Sequence, residues 1–268
     1  MRRTNKTIYT ILIMLCMIGF WLFENFYTPD SYSTPEGEGS ITLVAEDFMP
    51  SSTTGVVINH NHFSFSYHEK YEQSEWVAYT LQKSHLTYDD RKRPYFIEDP
   101  KVKTKSADWR NYKGSGYDRG HLCPAGDRRF SEYAYNETFY TSNISPQDND
   151  FNAGVWNRLE KQVRYWTKKY GTLHVVTGGV LEKGLKTIGD EDVAIPNYFY
   201  KIVSRGSSEN LIVVAFLFPH KASTEQLHTF IVSIDELEEI TKIDFFEKMP
   251  DDFERKFESK SSAKEWKF

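Results

Sequence analysis

Thiols are almost missing from this chain. Of its 268 residues only Cys16 and Cys123 are cysteines, and the first lies in an apolar N-terminal run. An internal disulfide is therefore excluded for the globular part, which must stand on its own hydrophobic core. A lone Cys123 reads as a small buried hydrophobe. Clustered cysteines and a His-Glu-x-x-His pair are also missing, which disfavours a zinc hydrolase. No internal repeat is present, and neither sign of charge dominates: the formal net charge is −5. Net charge alone argues weakly against a nucleic-acid partner, but it says nothing of how charge is distributed. The length suits one sizeable domain with extras, or two small ones.

What is there begins with Arg2, Arg3 and Lys6, followed by an uncharged apolar run from Thr7 to Phe23 that Glu24 ends. At about 1.5 Å per residue this run just reaches a thin bilayer core. Basic residues ahead of it favour a cytoplasmic N-terminus with the rest translocated. The reading is an uncleaved signal-anchor over residues 1–26, or else a cleaved signal and a secreted protein. The catalytic part is then expected outside the cytoplasmic membrane, periplasmic or extracellular, tethered through the N-terminal helix, with a eukaryotic organelle as the alternative compartment. Residues 27–52, rich in Pro, Ser, Thr, Gly and Glu, read as a flexible tether. The folded domain is expected over 53–268.

Within it, alternation of aromatic and β-branched residues marks strands at Val56–Asn59, Phe63–Tyr67 and Val77–Leu81, then at Leu173–Thr177, Tyr198–Val203 and Leu211–Phe218. Trp156, Leu159, Val163 and Trp166 stand at helical spacing and predict a helix over Asn152–Tyr170, stopped by Gly171. Ser233 with Glu236 three residues on predicts a capped helix over Ser233–Thr241. Strands and helices that do not alternate regularly indicate an α+β fold with a mainly antiparallel sheet flanked by helices.

Charge is uneven. Between Arg91 and Arg129 eleven Lys/Arg face five Asp/Glu, while between Asp235 and Lys260 ten acids face five bases. The basic segment reads either as a solvated loop or as a phosphate-attracting rim. It runs into Asp118-Arg119-Gly120-His121. An imidazole near neutral pH can take a proton from water, and a planar guanidinium two residues away suits phosphate oxygens. Gly120 between them permits a backbone approach that a Cβ would block. About thirty residues on, Asn152 and Glu160 resemble a hard-metal site. Eight residues of straight helix separate them by about 80° of rotation and about 12 Å of rise, so both cannot grip one ion. Mg²⁺ keeps most of its waters, so Glu160 is expected to hold those waters. Taken singly, Asn152 reads equally as a helix cap and Glu160 as an exposed carboxylate.

Asp118-Arg119-Gly120-His121 with Leu122, Pro124 and Asp127 resembles the DRGH signature of the DNA/RNA non-specific endonucleases, the ββα-metal or His-Me finger enzymes. Asn143-Ile144-Ser145-Pro146-Gln147, then Asn152, Gly154, Trp156 and Leu159-Glu160, is similar to that family's second motif in order and spacing. With weaker similarity at Glu75–Tyr79 upstream and at Ile195–Lys201, Asp235–Glu238 and Asp244–Phe246 downstream, the resemblance covers roughly Gly55 to Asp252. The resemblance implies a ββα-metal fold and a Mg²⁺-dependent endonuclease, with Mn²⁺ or another divalent ion as a substitute. DNA and RNA would both be substrates, cut without sequence preference to 5′-phosphate ends, and a homodimer is implied for some members. It implies His121 as general base, Asn152 as direct metal ligand and Glu160 as organiser of the ion's waters. Arg119 would stabilise transition-state charge, and Asn143 would support the site. Arg93 would contact substrate, and Asp118 would orient neighbouring backbone or Arg119. The alternative is a membrane-tethered nucleic-acid-binding protein that keeps the fold without turnover.

Overall fold

Seven strands form one antiparallel sheet in the order β1-β2-β3-β6-β9-β10-β11. The computed structural model describes residues 2–26, 32, 48–206, 210–249 and 264–268. Contacts divide the chain into two units, Met1–Glu38 and Gly39–Phe268. The second holds the sheet: β1 (Val57–Asn59), β2 (Ser64–His68), β3 (Gln73–Leu81), β6 (Leu173–Gly179), β9 (Tyr198–Arg205), β10 (Ile212–Pro219) and β11 (Ile231–Val232). All six strands expected from alternation are present, each within a few residues of its expected bounds.

Alternation sorts the strand residues onto two faces. From β3, Val77, Tyr79 and Leu81 join one core and Trp76 and Ala78 the other. From β9, Phe199 and Val203 go to the first and Tyr200 and Ile202 to the second. Both faces of β3 are buried along its whole length, and its polar start is hydrogen-bonded to match: Gln73 donates to the Ala194 carbonyl, Ser74 to the Ser142 carbonyl, and Glu75 accepts the Ser66 hydroxyl. One face is covered by a long helix carrying Leu159, Val163 and Trp166, the other by a short helix carrying Ile234 and Leu237. The short helix, Ile234–Thr241, starts where expected: the Ser233 hydroxyl accepts the Glu236 N–H at 3.1 Å. The last described residues also pack on the long helix. Trp266 lies 4.7 Å from Trp166 between ring centroids, and the Trp166 indole donates to the Lys267 carbonyl at 2.6 Å.

Besides β11, four short strands escaped the alternation reading because their sequences carry none. They are β4 (Asp118–His121), β5 (Ile144–Gln147), and the pair β7 (Thr187–Ile188) and β8 (Val193–Ala194). The helix Glu132–Glu137, α2, sits in the connection between β4 and β5, with Ser131 as its N-cap.

In the first unit a helix spans Arg2–Phe26, α1, and its side chains from Ile8 to Phe23 are exposed. The signal-anchor expectation needs correcting here. Among the described residues no helix is long and apolar enough to cross a membrane. The uncharged run reaches about 25 Å, whereas a typical hydrocarbon core is about 30 Å thick. The expected tether lies almost wholly outside the described residues, as does the second half of the acidic segment. The basic segment is not one solvated rim either. Arg128 is fully buried, donating to the carbonyls of His62 and Thr80 at 3.0 and 3.2 Å over the Tyr79 ring.

Candidate active site

The strands β4 and β5 pair antiparallel, with Asp118 opposite Gln147, Gly120 opposite Ser145 and His121 opposite Ile144. Directly after β5, the Asp148 carboxylate accepts the Phe151 N–H at 2.9 Å and opens the helix α3 (Asn149–Phe151). Two strands and a helix thus bring both halves of the motif together. Gly120 is required for this. A Cβ there would strike the Gln147 side chain, which lies across the strand. Gly120→Ala is therefore expected to cost about 1–3 kcal/mol by overpacking and to lower activity with it. Urea unfolding of the variant, together with a turnover assay, checks this.

His121 leaves the strand into an aromatic box. Its ring meets Phe139 edge-on at 5.0 Å and Phe96 at 5.6 Å between centroids. Burial, with the repulsive charge of Arg93 second, pushes its pKa down to about 3. The imidazole is therefore neutral at physiological pH. Its Nε2 is buried and has no hydrogen-bond partner among the described residues, an unusual state for a buried polar atom. Two guanidinium groups stand on the same Phe96 ring, Arg93 and Arg119, each 5.3 Å from its centroid. Arg119 also covers Trp109 at 5.4 Å and donates to its carbonyl at 3.4 Å, leaving its Nε without a partner. The expected base and the two expected phosphate-binding arginines therefore do converge.

Asn143 is fully buried, and its amide is spent on backbone. The Oδ1 accepts the Cys123 N–H at 2.8 Å, and the Nδ2 donates to the carbonyls of Cys123 and Thr138 at 3.0 and 2.9 Å. It supports the chain just beyond His121 and is not placed to touch substrate. Cys123 beside it is buried, with its thiol pushed up to about 12 by desolvation, so it is no nucleophile.

The expected helix from Asn152 to Tyr170 is not one straight helix. Asn152–Trp156 form a π-turn in which Gly154 has non-helical angles (φ −93°, ψ −108°), and α4 proper runs Asn157–Tyr170. The straight-helix estimate of how Asn152 and Glu160 relate therefore fails, because the backbone between them is interrupted. Gly171, at φ 94°, ends α4 as expected.

Asp118 does something the sequence reading missed. Its Oδ2 accepts the side-chain amides of both Asn149 and Asn152 at 3.0 Å each. With its nitrogen held there, the Asn152 amide presents Oδ1, which makes no protein hydrogen bond among the described residues. Glu160 belongs to a second network. Its carboxylate takes an Arg164 N–H at 3.3 Å, and Arg164 pairs with Asp127 at 2.5 Å. Burial raises the Glu160 pKa, against the pull of Arg164 and Lys201. Lys201 itself is buried 4.6 Å over the Trp156 ring, pushed down to about 8 by desolvation. Arg164 could have been found in the sequence by its i,i+4 spacing from Glu160; Lys201 gave no such signal.

Among the described residues no group of three or more His, Cys, Asp or Glu side chains could hold a metal. A hard ion with one amide oxygen and retained waters fits this donor set, while a thiolate- or imidazole-bound ion does not.

The model of the DNA/RNA non-specific endonuclease family matches residues 43–252. The chain belongs to that family of enzymes. It is 36% identical over 230 residues to human "Nuclease EXOG, mitochondrial", covering 79% of this chain and 62% of the relative. It is 32% identical over 216 residues to the "Mitochondrial nuclease" of Saccharomyces cerevisiae, covering 72% of this chain and 66% of the relative. The chain thus spans about three-fifths of the length of the human relative. A chain of the crystal structure of the EndoG/EndoGI complex superposes with a TM-score of 0.66 at 29% identity, covering 73% of this chain and 87% of that one. These relatives correct the localisation expectation. They are mitochondrial nucleases by name, and placement outside a cytoplasmic membrane, anchored or secreted, finds no support among them.

Proposed function

We propose that this member of the family is a divalent-metal-dependent endonuclease of the ββα-metal type, hydrolysing phosphodiester bonds of DNA and RNA without sequence preference and leaving 5′-phosphate ends. The observation that carries the reading is the meeting of the His121 imidazole, neutral at physiological pH, with Arg93 and Arg119 at one aromatic ring, Phe96.

His121 accepts the proton of an attacking water, for which a neutral imidazole is the competent state. Arg119 and Arg93 bind the non-bridging oxygens and stabilise the charge that grows on them in the transition state. Asn152, oriented by Asp118, would be the direct protein ligand of a bound ion, and Glu160 would hold the ion's waters. Mg²⁺ is the ion expected, with Mn²⁺ as a substitute; when bound it supplies positive charge at the leaving oxygen and the phosphate. Contacts of this kind reach phosphate and sugar but read no base, which accounts for indifference to sequence.

Plasmid DNA and RNA digestion by the full chain, with Mg²⁺ and with EDTA, tests the reading. Cleavage of both that stops on chelation supports it. Binding that survives EDTA, with no cleavage under any divalent ion, refutes it in favour of a non-catalytic nucleic-acid binder.

A further inference from the structure

His220 follows the end of β10, far in sequence from both halves of the motif, yet it is bonded into the start of the metal-bearing segment. Its Nε2 lies 2.7 Å from the backbone nitrogen of Asp148, and its Nδ1 lies 2.8 Å from the carbonyl oxygen of Pro196. A backbone N–H can only donate and a carbonyl can only accept. The partners therefore fix the ring as the neutral tautomer with its proton on Nδ1. Burial lowers the pKa of the ring and favours that same neutral form. The ring is held in place on two further sides, edge-on to Phe199 at 4.9 Å and to Phe151 at 5.1 Å, and the backbone N–H of His220 donates to the Asn197 carbonyl at 2.9 Å.

Asp148 is the residue on which Asn152 hangs. Its carbonyl accepts the Asn152 N–H at 2.8 Å, and its carboxylate caps α3 at the Phe151 N–H. Asn152 is thus gripped at two points, by Asp118 through its side chain and by Asp148 through its backbone. The Asp118 grip is anchored in the β4–β5 hairpin. The Asp148 N–H has its acceptor on His220, brought from the other end of the sheet.

We infer that His220 is a positioning residue for the metal site: by accepting the Asp148 N–H it fixes the first helical turn from which Asn152 presents its Oδ1. The inference rests on the proposed role of Asn152. Partners of this outer kind commonly contribute 10- to 100-fold in metal affinity. Removing the acceptor leaves the Asp148 amide unpaired and frees the turn, while the sheet and the arginines on Phe96 stay as they are.

Mn²⁺ binding to the full chain, followed by the loss of the free-ion electron paramagnetic resonance signal, tests this without any turnover assay. Four variants are compared with wild type: His220→Gln, whose Oε1 can accept in place of Nε2; His220→Phe, which keeps the ring but not the acceptor; His220→Ala; and Asn152→Ala. The expected result is a Mn²⁺ affinity about 10-fold weaker or worse in the Phe and Ala variants, with substantial recovery in Gln. DNA affinity without metal should be unchanged across the His220 series. If Phe binds Mn²⁺ as tightly as Gln and wild type, while Asn152→Ala loses binding, the inference on His220 is overturned and the Asn152 reading stands. If Asn152→Ala binds Mn²⁺ as wild type does, the Asn152 reading is what fails. Should His220→Ala not fold, the comparison of Phe with Gln decides the matter alone.

Discussion

Replacing His121 by alanine is expected to lower kcat by about 10²- to 10⁴-fold, the usual contribution of a positioned general base. The fold should survive, since the side chain makes ring contacts to Phe96 and Phe139 and its Nε2 has no hydrogen bond to lose. A circular dichroism melt near that of wild type, together with single-turnover cleavage of a defined duplex, separates the two effects. Retention of near-wild-type cleavage would remove His121 from the mechanism. The pH profile gives an independent reading. With the His121 pKa pushed down to about 3, the base is already neutral well below the ordinary histidine range. The acid limb of kcat/KM, which reports the free enzyme, should therefore not appear near pH 6.5. It should fall lower, below the ordinary histidine range. A limb at pH 6.5 that vanishes in a histidine variant would contradict the burial argument.

The largest expected loss of stability lies away from the chemistry, at Glu137. This carboxylate is buried between two histidines, 2.5 Å from the His62 Nδ1 and 3.6 Å from the His60 Nδ1, and it also accepts the Asn61 N–H at 3.1 Å. His60 binds Asp99 at 2.7 Å on its other side, and Asp99 accepts the Ser142 hydroxyl next to Asn143. Glu137→Ala would strip the acceptor from the His62 ring and the Asn61 N–H at once, and breaking such a cluster from one side costs about 3–5 kcal/mol. Burial alone would raise the Glu137 pKa, but the His62 hydrogen bond, the two histidine charges and the Asn61 N–H bring it below its ordinary value of 4.5. A depressed folded pKa means stability that is present above the unfolded value and lost as pH falls through the folded one. Wild type should therefore lose stability in that acid window faster than Glu137→Gln. Guanidinium unfolding at neutral and acid pH measures both effects, and a neutral-pH loss in Glu137→Ala under about 1 kcal/mol would show the cluster to be incidental.

The sheet was legible because its strands are half-buried or wholly buried and advertise that by alternation. The β4–β5 hairpin was not, since Asp-Arg-Gly-His and Ile-Ser-Pro-Gln hold polar residues for chemistry and carry no period. The site's composition was legible from motif residues, and the structure does bring Arg93, Arg119 and His121 together at Phe96. Its internal bonding was not. Asp118 was expected to serve backbone or Arg119, and instead it holds two amides. His220 and Lys201 reach the site through sheet topology, which no local spacing encodes. The N-terminal run misled because an uncharged stretch behind basic residues looks like an anchor whether or not it is long enough to span.

The wide turn at Asn152–Trp156 sets a phase between the two ends of the metal-bearing segment. Upstream of it the orientation of Asn152 is dictated by the hairpin; downstream the orientation of Glu160 is dictated by which side of α4 the core demands. Each residue of α-helix carries about 100° of rotation, so shortening the turn by one residue would swing one group roughly a quarter-turn or more away from the other. The core bears on the turn as well, because Val155 and Trp156 within it are fully buried. Residue number in this turn is therefore set twice over, by the burial of those two side chains and by the angle it leaves between Asn152 and Glu160.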